Sequence, residues 1–560
     1  MANTTRRAAI ISIGASAIAG GAQARSSHAR PRQGGVAASD TYGAQAGAQI
    51  LTAGGNAVDA AVAMAFALAV TYPEAGNLGG GGFMTVLMRG EPYFLDYRET
   101  APAAATSAMY VGSDGNVIEN RSLIGNQAVG IPGTVHGMAN AHARFGTLTW
   151  RQVMAPAIKL AREGFIPVAQ MIKIYQESLA FLGPQINLAA HFNGLRGGVL
   201  FIQPDLASTL EAIATQGPDG FYKGAVAAKI VAQMGRGTHQ GLITLADLAG
   251  YKSTWRSPLI GRWDDKSVIT APPPSSGGIA LLQLLGMKQA RQDLFAGIAH
   301  NSAQYVHLLA EMEKRVYADR AVYLGDPDFV TVPTTRLLDR AYIAARAREI
   351  NPTRPSGLTS VKPGLEKPQT THFSVIDKDG NAVSNTYTLN GWYGSGVVVE
   401  GAGFILNNEM DDFSAKPGVA NQFGVVGGDA NAIAPRKRPL SSMTPTILMK
   451  NGRAIMALGS PGGSRIITSV LQVLLNCYNY DMPLAVAVAK PRYHHQLLPE
   501  NTIYTEPYAA ADPVVKADLE ARGYVFEAQD YNGDIAAVQI VSGVPIVAPD
   551  PRARGAGLVV

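Results

Sequence analysis

The sequence predicts an α+β protein of stacked layers, with sheets in the middle and helices outside. Apolar residues recur at helical spacing through the first two thirds of the chain, strand-like alternation takes over from Thr370, and two helical stretches lie among the later strands. In the first part, helices are expected at Thr41 to Leu51, Ala57 to Val70, Trp150 to Glu163, Leu206 to Thr215, Gly224 to Met234, Ile279 to Leu285 and Ala303 to Tyr323, separated by Gly/Pro-rich connections. Ala57 to Val70 is a long apolar run, but it carries Asp59 and falls short of the roughly 20 residues that span a bilayer. It reads as a buried helix capped by Asn56. Short strands are expected at Phe83 to Met88 and Tyr93 to Tyr97. Gly79 to Gly82 reads as a tight turn packed against other backbone, because no Lys-Ser/Thr follows to make a phosphate loop. Arg354 to Gln369 is polar, punctuated by prolines and without a hydrophobic period, which predicts an exposed, mobile tail.

The second part opens on a hairpin. His372 to Asp377 alternates, Lys378-Asp379-Gly380-Asn381 is a turn, and Ala382 to Leu389 alternates again. Further strands are expected at Gly396 to Val399, Thr446 to Met449, Ala454 to Leu458 and Ala536 to Val541, with helices at Ile466 to Asn476 and Val514 to Ala521. No internal repeat is present.

At 560 residues the length alone suggests three or four domains. Composition is that of an ordinary globular protein, 47% hydrophobic and 16% charged, with a net charge of +5. No Lys/Arg block is long enough to suggest nucleic acid, and Arg436-Lys437-Arg438 reads as a solvated loop. A single cysteine, Cys477, rules out an internal disulfide and a cysteine metal site; it reads as a buried small hydrophobe. His494-His495 is the one histidine pair, and neighbours in sequence point to different sides, which disfavours a shared metal. At the N-terminus, Arg6-Arg7, the weakly apolar Ala8 to Ala19 and Ala22-Gln23-Ala24 read as an export signal over residues 1–24. The arginine pair hints at twin-arginine export without settling the route. The predicted location is the periplasm or the exterior.

His-Glu-x-x-His, paired-cysteine and Gly-x-Ser-x-Gly motifs are all missing from the sequence. Thr370 and Thr371 stand at the mouth of a strand, where the plain reading makes them β-formers. A threonine hydroxyl is a poor nucleophile unless a base adjoins it. Cutting the bond before Thr370 would supply one, the new α-amine, whose pKa of about 7.7–8 leaves a neutral fraction near neutrality.

Several long motifs occur in order: "GGNAVDAAVAMAFALAV", "GGGGFM", "FLDYRETAP", "GIPGTVHGM", "APAIKLAREGF", "QTTHFSVIDKDGNAVSNTYTLN", "GFILNNEMDDFS", "KRPLSSMTPTI" and "GSPGGSRIITSVLQVL". Together they resemble the γ-glutamyltranspeptidase (glutathione hydrolase) family of N-terminal-nucleophile hydrolases. The resemblance implies a four-layer αββα fold and a precursor that cleaves itself at Gln369–Thr370 into a large subunit (25–369) and a small one (370–560). One intertwined unit then replaces the three or four domains. It further implies a γ-glutamyl-Thr370 acyl-enzyme, with transfer of the acyl group to water, amino acids or peptides, and no cofactor or metal.

Carried over residue by residue, Thr388 would orient Thr370, and Gly462 and Gly463 would direct N–H groups at the oxyanion. Arg98, Ser441 and Ser442 would take the substrate α-carboxylate, and Asn390, Glu409 and Asp412 its α-ammonium. Read without the family, Arg98 is a structural ion pair with Asp96 or Glu99, and Asp411-Asp412 a solvated loop or cap. Phe423 stands in the expected lid loop where relatives often carry tyrosine. Two rival readings remain. One is a glutaryl-cephalosporin-type acylase, which would leave Glu409 and Asp412 nothing to bind; the other is an uncleaved, inactive binding homologue.

Overall fold

The computed structural model describes residues 33–560, apart from 185, 238, 358–369, 417–427, 507–508, 510 and 530–532. The expected signal over residues 1–24, Gln369 and Phe423 therefore lie outside the described residues.

Two sheets stack face to face. Among the described residues the first has seven strands, in the order Ala556–Val559, Gly35–Ala38, Thr371–Ile376, Ala382–Thr388, Gly81–Met88, Glu91–Tyr97, Thr254–Arg256. The second has six: Val544–Pro549, Ala536–Val541, Arg453–Gly459, Thr446–Lys450, Lys266–Thr270, Leu259–Trp263. Pairing is antiparallel throughout both. Ala37, Leu87, Ile376, Ile447, Ala457 and Val538 fill the gap between the sheets. The helices Thr41–Thr52 and Ala57–Thr71 cover the outer face of the first sheet, and Gly277–Ala290, Ala303–Tyr323 and Arg465–Asn479 that of the second. This is the αββα layering, in one unit.

Local chemistry accounts for the outer layers. Every residue of Ala57–Thr71 is buried, and Asn56 and Asp59 form a reciprocal capping box at its start. Asp59 also accepts from the Thr147 N–H and hydroxyl, so the buried carboxylate is saturated with donors. Cys477 is buried in Arg465–Asn479, and burial pushes its thiol up to about 12.

Several expectations need correction. Gly79 to Gly82 packs against backbone as predicted, but Gly81 and Gly82 already belong to a strand and do not form a turn. Gly396 to Val399 is no strand; only Val398 bridges to Ile405, because the segment bends at Gly394 and Gly396, both at positive φ. Of Arg436-Lys437-Arg438, the last two are buried: Lys437 donates to Ala430 and Ala432 carbonyls, and Arg438 pairs with Asp96 at 3.2 Å. The segment from Arg354 does not start as a free tail, since the Ser356 N–H donates to buried Glu311 and Arg315 donates to its hydroxyl. Helices such as Thr134–Phe145 and Ala169–Leu182, and the strands Gly35–Ala38, Leu259–Trp263, Lys266–Thr270 and Ala556–Val559, escaped the sequence reading.

Candidate active site

Thr370 is buried and immediately precedes the central strand Thr371–Ile376. The register puts Thr371 opposite Tyr387, so Thr370 and Thr388 meet at the same end of the sheet. A cleft opens there, lined by Thr370 and Thr388 together with Arg98, Asn390, Glu409, Asp412, Ser441, Ser442 and Gly463. The fold thus gathers residues from five separate stretches of chain. Gly462 belongs to the same turn as Gly463 but does not itself line the cleft.

The turn after Thr388 is held by its own hydroxyl, which accepts from the Asn390 N–H at 2.8 Å. Asn390 sits at φ +75, a region asparagine tolerates better than most residues, and its amide donates to Asn408 O at 2.9 Å. Glu409 and Asp412 lie on a short 3-10 turn, Glu409–Asp412, and Asp411 accepts from Ser122 at 2.6 Å. Asp411 is buried and therefore no solvated loop residue.

Arg98 is fully buried and reaches both carboxylates, Nη1 to Glu409 and Nη2 to Asp412. Glu99 stands 3.7 Å from the same guanidinium. Asp96 pairs instead with Arg256 at 2.7 Å and Arg438 at 3.2 Å, so only the Glu99 half of the structural ion pair considered from sequence is present. One arginine thus faces three carboxylates. Burial raises Glu409 and Asp412 despite Arg98, and lifts Glu99 to about 7. Both Glu99 oxygens are buried without a hydrogen-bond partner.

On the opposite wall, Ser441 is fixed by its N–H donating to Pro274 O at 2.9 Å, and its Oγ accepts from Met443 N at 3.1 Å. Ser442 Oγ accepts from Arg320 at 3.3 Å, and Arg320 Nε donates to Ser276 at 3.1 Å. Arg320 lines the cleft and was missed from the sequence, where it is one more charge on a long helix; only its place on the buried face of Ala303–Tyr323 distinguishes it. Gly462 and Gly463 take φ values of +131 and +58, which L side chains avoid, so this turn requires glycine. Among the described residues no group of three or more His, Cys, Asp or Glu could hold a metal ion, and His494 and His495 are buried in separate hydrogen-bond sets.

A two-sheet sandwich inside two helical layers, with a threonine at the head of a central strand inside a polar cleft, defines the class of N-terminal-nucleophile hydrolases. The chain belongs to the gamma-glutamyltranspeptidase family, whose profile matches residues 43–560. It is 58% identical over 528 residues to the glutathione hydrolase proenzyme of Pseudomonas aeruginosa, covering 94% of each chain. A solved gamma-glutamyltranspeptidase of Pseudomonas nitroreducens is 54% identical over 57% of this chain and 94% of that one, with a TM-score of 0.56. The cephalosporin acylase of Bacillus halodurans is similar in fold, with a TM-score of 0.81 and 26% identity over 94% of this chain and 96% of that one.

Proposed function

We propose that this chain is a self-processing γ-glutamyltransferase and glutathione hydrolase. One observation carries the reading: Thr370 shares a cleft with a buried arginine paired to two carboxylates, a set complementary to an amino-acid head group. A γ-glutamyl substrate brings a carboxylate for Arg98, Ser441 and Ser442, and an ammonium for Glu409, Asp412 and Asn390. Binding then exchanges internal ion pairs for equivalent ones with the ligand, which spares the cost of burying unpaired charge. A glutaryl side chain lacks the ammonium and leaves the carboxylates without that exchange, so the acylase reading is disfavoured.

In processing, Thr370 Oγ attacks the Gln369 carbonyl carbon, the C–N bond breaks, and water hydrolyses the resulting ester. In turnover, the freed α-amine takes the Thr370 hydroxyl proton as Oγ attacks the γ-carbonyl carbon. The N–H groups of Gly462 and Gly463 receive the oxyanion. The leaving amine collects the proton, and water or an acceptor amine then attacks the γ-glutamyl ester. Thr388 Oγ accepts from Asn390 N, which fixes its place at the strand end beside Thr370. Amino acids and short peptides fit as acceptors because the cleft already handles zwitterions. The Arg6-Arg7 leader supports export to the periplasm or beyond, with mature subunits 25–369 and 370–560.

Thr370→Ala tests the core of this. Denaturing gels of the purified variant are expected to show one band near full length and no anilide release from a γ-glutamyl anilide. Two bands from that variant would end the proposal.

A further inference from the structure

The turnover scheme gives no task to His494, yet this ring lies directly behind the glycine turn. Its backbone is pinned by paired hydrogen bonds with Tyr504 at 3.1 and 2.8 Å. Thr468 Oγ1 donates to Arg465 O at 3.1 Å, so it accepts from His494 Nδ1 at 2.9 Å. The other ring nitrogen is then an acceptor, and it faces the Ser464 hydroxyl at 3.2 Å and the Gln496 amide at 3.0 Å. Gln496 is also 2.7 Å from Ser464 Oγ. An amide turned with its NH2 toward the imidazole supplies a proton to each of these two acceptors. It also removes the buried, unpartnered NH2 that the opposite orientation leaves. Burial holds the imidazole well below its ordinary pKa, so it stays neutral across the working range.

Ser464 follows Gly463 and lines the cleft. Its carbonyl accepts the Tyr317 hydroxyl at 2.6 Å, from the helix Ala303–Tyr323. On the other flank, Ser460 Oγ donates to Pro461 O at 2.6 Å and accepts from Asp534 N at 3.0 Å. The two glycines have no side chain to fix their own left-handed conformations; their carbonyls accept from Arg465 N at 3.1 Å and Ile466 N at 3.3 Å, and the flanks add to this hold. We propose that Tyr317, Gln496 and His494, acting through Ser464, are positioning residues that aim the Gly462–Gly463 N–H groups at the oxyanion. They touch no substrate atom. The inference rests on the Thr370 reading above and adds residues from both sides of the processing bond to the catalytic apparatus.

The test uses fully processed enzyme, checked by gel, in Tyr317→Phe, Gln496→Met and His494→Phe. Acylation is read from the pre-steady-state burst with a γ-glutamyl anilide, and head-group binding from inhibition by free L-glutamate. Tyr317→Phe removes one oxygen and should slow acylation roughly tenfold, less than the ~10²–10³ lost with an oxyanion donor itself. Glutamate inhibition should stay within about twofold of the parent in this ping-pong scheme. Acylation at the parental rate, or acylation and glutamate affinity falling together, overturns the proposal. If His494→Phe does not fold, the single-atom Tyr317→Phe decides alone. Thr370→Ala, expected as the uncut precursor, is run beside these variants as a control: a surviving burst there sinks the underlying reading, whereas a silent Thr370→Ala beside a parental Tyr317→Phe sinks only this one.

Discussion

Glu99 shows how much one residue can carry. Its carboxyl is buried, has no hydrogen-bond donor, and shares Arg98 with Glu409 and Asp412. Desolvation raises it from 4.5 to about 7. Between these two values the folded chain binds more protons than the unfolded one, so this group's contribution to stability is complete below 4.5 and is lost as pH rises through about 7. Because one pKa unit is worth about 1.4 kcal/mol, the contribution is capped at about 3 kcal/mol. Glu99→Gln is expected to melt at or above the parent temperature at pH 8 and to lose that advantage at pH 5. A variant less stable at pH 8 than at pH 5, relative to parent, would contradict the assignment. Arg98→Lys tests a neighbouring point: an ammonium lacks the fork that reaches both Glu409 and Asp412, so the KM for γ-glutamyl substrates should rise at least tenfold.

At the level of elements, close backbone approach sets the cleft. A Cβ on Gly80 would lie 2.0 Å from Thr388 O, and on Gly79 2.1 Å from Ile405 O. Gly80→Ala must therefore push the end of the strand Ala382–Thr388, which carries Thr388 beside Thr370. Overpacking of this kind costs about 1–3 kcal/mol, but the sharper expectation is slowed self-cleavage, seen as precursor persisting on gels. Processing at the parental rate would mean the strand end can move without consequence. The same elements show what the sequence made legible. Trp150–Glu163, Gly224–Met234, Ala303–Tyr323 and Ala536–Val541 have the bounds predicted, because their periodicity, and at Trp150–Glu163 and Ala303–Tyr323 their caps, are local signals. Gly35–Ala38 is four residues long and fully buried, so alternation could not reveal it; its place depends on partners hundreds of residues away. Most residues gathered in the cleft were legible through ordered motifs, Ser464 among them as the neighbour of Gly463, whereas Arg320 and His494 acquire their positions only by tertiary packing.

The two parts of the chain interleave across the whole molecule. Gly35–Ala38, from before Thr370, lies between Ala556–Val559 and Thr371–Ile376, both from after it. Gly81–Met88 pairs with Ala382–Thr388 in the same sheet, and Lys266–Thr270 pairs with Thr446–Lys450 in the other. Arg554, near the C-terminus, reaches Glu74 at 2.7 Å and Asp40 at 3.4 Å in a buried cluster. The proposed cleavage before Thr370 would therefore leave backbone ladders and apolar layers crossing between the fragments, although the one cysteine cannot join them. Surface ion pairs lose most of their strength in 1 M salt, where the screening length is about 3 Å, but ladders and buried apolar contacts do not. The processed fragments should thus co-elute at 1 M salt, when a tag on one is used to recover both, and should unfold in a single transition by calorimetry. Fragments that part under native conditions, or two resolved transitions, would show that the interleaved strands do not bind the halves into one cooperative unit.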